Sequence, residues 1–140
     1  MTVSSIMSRS VVTVDPQSSL RDVARLLAEK RIGAAVATGV DGRIAGIISE
    51  RDVVRAVAEE GAAALDKPAA SRVTRKVETC APGTLITQVM AMMTHGKFRH
   101  VPVVESERLV GIVSIGDVVK RRLADFEAEG NAMRDYIASA

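Results

Sequence analysis

The chain has 140 residues, 47% of them hydrophobic and 26% charged, with Lys and Arg exceeding Asp and Glu by only 19 to 17. No Trp, one Tyr and two Phe leave nothing to build a base-stacking platform, a net charge of +2 licenses only weak attraction to anions, and a lone Cys80 closes no internal disulfide. The N-terminal residues carry no apolar stretch of signal-peptide length and no segment reaches the roughly 20 apolar residues that span a bilayer, so a reducing cytoplasm is the expected setting.

Along the chain, Val11 to Val14 is a short β-branched run stopped by Pro16. Ser19 with Asp22 three residues on reads as a capping box, and Leu20, Val23, Ala24 and Leu27 form one apolar stripe at helical spacing. Two strands, Ala34 to Thr38 and Ile44 to Ile48, flank a turn at Val40, Asp41 and Gly42. Val53, Val54 and Val57 give a closing helix its buried side. Gly61 to Pro68, Ala-rich and ended by proline, reads as a linker.

The same order then recurs. Pro16 falls on Pro82, Leu20 on Ile86, Val23 on Val89, Leu27 on Met93 and Ile32 on Phe98, each pair 66 apart (82 minus 16, 98 minus 32). Beyond the turn the offset is 65, with Gly46 on Gly111, Ser49 on Ser114 and Asp52 on Asp117, so one residue is missing from the second turn. The expected strands there are Val101 to Val104 and Leu109 to Val113. Boundaries of 1–66 and 67–125 follow for two repeats, with 126–140 as a helical extension carrying Phe126, Met133, Tyr136 and Ile137, although Gly130 and Asn131 interrupt it. At about 55 residues, neither unit buries enough surface to stand alone, and pairing through the sheets creates clefts where the strand ends of one unit meet a helix start of the other.

One phrase recurs at those corners, GIISERD (46–52) and GIVSIGD (111–117). A strand entering a helix through Ser aims backbone N–H groups at one spot, where a ribose or phosphate oxygen is welcome, and an Asp one turn in accepts from vicinal hydroxyls. The same Ser and acid also make a capping box that needs no ligand. Asp in place of the usual Glu, and a glycine three residues before each Ser that admits another group closely, weigh toward a ligand. Both readings coexist.

The duplicated pattern, with GIISERDVVRAV, GIVSIGDVVKRR and FRHVPVV, resembles the paired cystathionine-β-synthase (CBS) domain family, the Bateman module, over residues 6 to 122. The resemblance implies an α/β fold of two β-α-β-β-α repeats related by a pseudo-twofold axis and packed through their sheets. It implies a non-catalytic, ligand-responsive sensor in signal transduction that takes AMP, ATP or NAD, regulates an unidentified protein, and dimerises into a flat disc. One site would join Ser49, Arg51 and Asp52 to Val77, Glu78, Phe98, Arg99 and His100. The other would join Ser114 and Asp117 to Val11, Val12, Ile32, Gly33 and Ala34. Arg99 and His100 offer phosphate a guanidinium and an imidazole, where Gly33 and Ala34 offer neither, so the first site is expected to be the better phosphate binder.

Other readings are a ligand-free dimerisation scaffold, an enzyme using Cys80, His95 or His100, and a nucleic-acid binder using Lys120, Arg121 and Arg122. No nucleophile motif supports the enzyme and no metal-ligand set is present. Cys80 and the Met90, Met92, Met93 cluster read as core, and His95 as a partner of its helix C-terminus.

Overall fold

The computed structural model describes residues 1–139 as two βαββα units. The first contains β1 (Thr13–Val14), α1 (Leu20–Lys30), β2 (Ala34–Thr38), β3 (Ile44–Ser49) and α2 (Glu50–Glu60). In the second, α3 (Ile86–Gly96), β4 (His100–Glu105), β5 (Arg108–Ser114) and α4 (Ile115–Ser139) follow a first strand reduced to a single parallel bridge between Cys80 and Val103. β2 pairs parallel to β1 and antiparallel to β3, and β4 pairs antiparallel to β5.

The two hairpins explain the change of offset. In the first, Gly39 N–H donates to the Arg43 carbonyl, so Val40, Asp41 and Gly42 form a three-residue loop with Gly42 at φ +77°. In the second, Glu105 pairs with Arg108 around two residues, Ser106 and Glu107, both at positive φ. That is the backbone twist a two-residue hairpin requires. Both hairpins also shift register at the same place, between Ala37 and Thr38 and between Val103 and Val104.

Side chains alternate across a strand, which shows what each sheet face covers. Ala35, Ala37 and Ile48 pack with Leu20, Val23, Leu27, Val53 and Ala56 into the first core; Val101, Val103 and Val113 pack with Ile86, Val89, Met93 and Val118 into the second. Ala34, Val36 and Pro102 point the other way and are buried too, so the second face of each sheet is covered as well. Cys80 belongs to the second core, and burial pushes its thiol up to about 11, the behaviour of a small hydrophobe.

The stretch read as a linker is part of the fold. Ala62–Asp66 and Ala69–Ser71 are 3₁₀ turns, and Ala64 and Ala69 are fully buried in the first core. Leu20 N–H donates to Lys67 O, Ala69 N–H to Ser18 O and Ala70 N–H to Pro16 O. Displaced by 66 residues, the same bonds tie the N-terminus to the second unit: Ile86 to Met1, Val3 to Thr84, Ser4 to Pro82. Residues 1–8 and 67–74 are thus equivalent leads, each docked on the unit that the other precedes. Arg72 and Lys67 pair with Glu60 and hold its carboxyl below the usual range, fastening the second lead to the end of α2.

The leads also account for the recurring glycines. Ile47 and Thr74 exchange both backbone hydrogen bonds, at 3.0 and 2.9 Å, and Ile112 and Ser8 do the same at 3.0 and 2.9 Å. A Cβ on Gly46 would stand 2.4 Å from Thr74 O, and one on Gly111 would stand 2.8 Å from Met7 Sδ. The close approach expected at these glycines is made by the protein's own leads, through the Thr74 carbonyl at Gly46 and through the Met7 side chain at Gly111, where the Ser8 carbonyl lies 3.0 Å away.

At the C-terminus, α4 runs without a break through Gly130 and Asn131 to Ser139. Its base is fixed by Arg121, which pairs with Asp125 and reaches Ser5 and Met1. No helix among the described residues is long and apolar enough to cross a membrane.

Candidate functional site

Both Ser–Asp corners are complete capping boxes. Asp52 Oδ2 accepts from Ser49 N–H at 2.8 Å and Asp52 N–H donates to Ser49 Oγ at 3.3 Å; the second pair gives 2.9 and 3.1 Å for Ser114 and Asp117. The Ser19–Asp22 pair makes only the hydroxyl half of its box, and α3 starts without a capping hydroxyl, Gln88 accepting from Leu85 N–H instead. The recorded bonds to Asp52 and Asp117 fall on Oδ2, so each carboxylate keeps Oδ1 for another donor.

Around the first corner lies an open cleft of about 360 Å³, walled by Ser49, Glu50, Arg51, Asp52 and Arg55 from the start of α2 and by Lys97, Phe98, Arg99 and His100 from the segment entering β4. The chain reaches this arrangement through local geometry that both units share. Glu50 N–H donates to Gly33 O at 2.9 Å and its equivalent Ile115 N–H donates to Arg99 O at 2.8 Å, clamping each helix start to the residue that opens the neighbouring strand. Arg31 and Lys97, equivalent residues, end α1 and α3 in left-handed conformation (φ 54° and 56°) and turn Ile32 and Phe98 inward. Gly96 lets the Phe98 ring fold back over the end of α3, since a Cβ there would fall 1.9 Å from the ring.

The cleft gathers four cationic side chains, Arg51, Arg55, Lys97 and Arg99, against two carboxylates, Glu50 and Asp52, and among the described residues none of the four cations forms an ion pair. His100 sits at the back. Burial holds its imidazole below the usual range, opposed by the Asp117 and Glu50 carboxylates and reinforced by Arg99. It is therefore neutral near pH 7 and offers a hydrogen bond without a charge.

Of the residues expected at the first site, the structure brings together Ser49, Arg51, Asp52, Phe98, Arg99 and His100. Val77 is half-buried and Glu78 exposed, and neither lines the cleft; Thr74, one lead earlier, does. Gly33 and Ala34, expected at the second site, line the first cleft, where Gly33 faces the His100 ring. Ile32 borders a groove between α1 and α2, and Val12 packs against the first core. Arg55, Lys97 and Thr74 were not anticipated. Arg55 is one helical turn beyond Arg51, and Lys97 adjoins the FRH phrase, so both were within reach of helical spacing. Thr74 reaches the cleft only through the exchanged lead, which has no local signature.

At the other corner Ile115 and Gly116 replace Glu50 and Arg51. In the basic run 120–122, Arg121 is engaged with Asp125 and Arg122 lies 5.0 Å over the Phe126 ring.

Comparison with known proteins agrees with this architecture. The CBS domain family matches residues 3–59 and 70–124. The chain is 32% identical over 122 residues to an uncharacterised 17.7 kDa protein of Acidianus ambivalens, covering 86% of this chain and 73% of that one. It spans 58% or less of several longer curated relatives. Among solved structures, a CBS-domain containing protein of Agrobacterium tumefaciens superposes with a TM-score of 0.79 at 49% identity, covering 82% of this chain and 86% of that one. The CBS domain pair of protein MJ0100, in complex with 5-methylthioadenosine and S-adenosyl-L-methionine, superposes with a TM-score of 0.83 at 25% identity, covering 89% and 98%. With both repeats matched and the paired fold shared, the chain belongs to the CBS domain family.

Proposed function

We propose that this protein is a regulatory module that binds one adenosyl nucleotide in the cleft between Ser49–Asp52 and Phe98–His100, and that its occupancy is read by a partner protein. The observation that carries this reading is the convergence of four unpaired cations on a cleft whose floor is a helix N-terminus. Unpaired guanidinium and ammonium groups facing one another repel, and a bound polyanion removes that cost. The free Oδ1 of Asp52 suits a ribose hydroxyl, and Phe98 supplies an apolar ring beside it. That the MJ0100 pair holds adenosyl ligands supports the nucleoside half of the ligand. The cation count here favours AMP, ATP or NAD over an uncharged nucleoside. The role is binding without turnover: the Cys80 thiol is buried with a raised pKa.

The test is calorimetry of the full chain against AMP, ADP, ATP, NAD, NADH and S-adenosylmethionine. Saturable heat at one site, lost in Asp52→Ala and kept in Asp117→Ala, is the expected result. Absence of heat and of any melting shift at millimolar nucleotide overturns the reading, and equal losses in the two variants overturn the choice of cleft.

A further inference from the structure

From Val119 to Ile137, α4 carries a pattern that the ligand cleft does not use. Val119, Leu123, Phe126, Met133 and Ile137 are all exposed, from 49% to 66%, and with Gly130 they recur at alternating steps of four and three along one unbroken helix. That is the 3.5-residue period of a two-stranded coiled-coil seam, with Leu123, Gly130 and Ile137 in the a positions and Val119, Phe126 and Met133 in d. Val118 and Arg121, which face the body of the protein, lie on a different side of the helix, so the seam is free.

The flanking charges identify what covers it. Arg122 and Glu129 occupy g positions, Lys120, Glu127 and Arg134 occupy e. In a parallel pair each g residue meets the e residue five positions on in its partner, which sets Arg122 against Glu127 and Glu129 against Arg134, attractive in both cases and doubled by symmetry. An antiparallel pair about the Phe126–Gly130 layer would set Glu127 against Glu127 and Glu129 against Glu129. We infer that α4 pairs in parallel with α4 of a second copy of this chain, through a seam of about 27 Å from Val119 to Ile137. The inference is independent of the nucleotide reading. A seam this short is marginal for isolated helices, so the body must hold the two bases close.

Sedimentation equilibrium of the full chain tests it, with circular dichroism to confirm that variants at these exposed positions stay folded. The wild type is expected at twice 14.9 kDa. Phe126→Glu should weaken the dimer by about tenfold or more. Arg122→Glu alone should weaken it, and adding Glu127→Arg should restore it. Gly130→Cys should cross-link to itself under mild oxidation, since identical a positions face each other only in a parallel pair, while the wild type with its buried Cys80 should not. A monomer at all concentrations, a dimer indifferent to Phe126→Glu, a charge swap that fails to restore, or cross-linking only between mixed Phe126→Cys and Gly130→Cys chains would each overturn the proposal.

Discussion

The two Ser–Asp corners are nearly superposable in their hydrogen bonds and unlike in their surroundings. Ser49–Asp52 and Ser114–Asp117 make the same reciprocal caps within a few tenths of an ångström. Yet Arg51 has Gly116 as its counterpart, and Arg99 and His100 have Gly33 and Ala34. What the corners share is what two helices need in order to start, and what they do not share is the set of charges available to a ligand. The phrase that repeats therefore speaks for the scaffold, and the residues that break the repeat speak for specificity.

The largest expected effect separates the two glycines. Gly46→Ala forces a methyl against the Thr74 carbonyl, which is backbone and cannot swing aside, and should cost about 3 kcal/mol of stability. Gly111→Ala meets first the flexible Met7 thioether and should cost about 1 kcal/mol, both measured by urea denaturation. Arg99→Ala removes a guanidinium from the proposed phosphate end and should weaken ATP by about 10- to 100-fold in calorimetry while leaving the melting temperature of the free protein unchanged. Asp52→Ala and Asp117→Ala should each lose about 0.5–1 kcal/mol of stability as damaged caps, an equality in stability that contrasts with their unequal effect on ligand.

The smallest effect is that of pH on His100. Its folded-state pKa lies below the unfolded value, so the unfolded chain binds the extra proton between those two values. Stability is full above the unfolded pKa and falls as pH drops through the folded one. Denaturation midpoints at about pH 7.5 and 5.5 should differ less in His100→Gln than in the wild type. A variant that retains the whole difference would place the titrating group elsewhere.

Much of this was legible in the residues themselves. The change of offset anticipated a second hairpin loop one residue shorter than the first, and the capping boxes at both corners were written in the Ser–Asp spacing. The Ala-rich segment misled because Ala64 and Ala69 bury completely while contributing too little volume to mark an apolar face. The repeat also begins earlier than its strong matches suggest: MTVSSIMS and KPAASRVT share hardly a residue, and their equivalence rests on backbone hydrogen bonds that any side chain permits. Gly130 was expected to interrupt α4, but a single glycine costs a helix only about 1 kcal/mol relative to alanine.

The crossed leads restrict how this protein can respond to anything it holds. With residues 1–8 laced to one half and 67–74 to the other, prising the halves apart would strip an edge from both sheets at once. The movement these ties leave to the halves is a small rotation of one upon the other. Levers that lengthen such a rotation, α4 foremost, are where it would become visible.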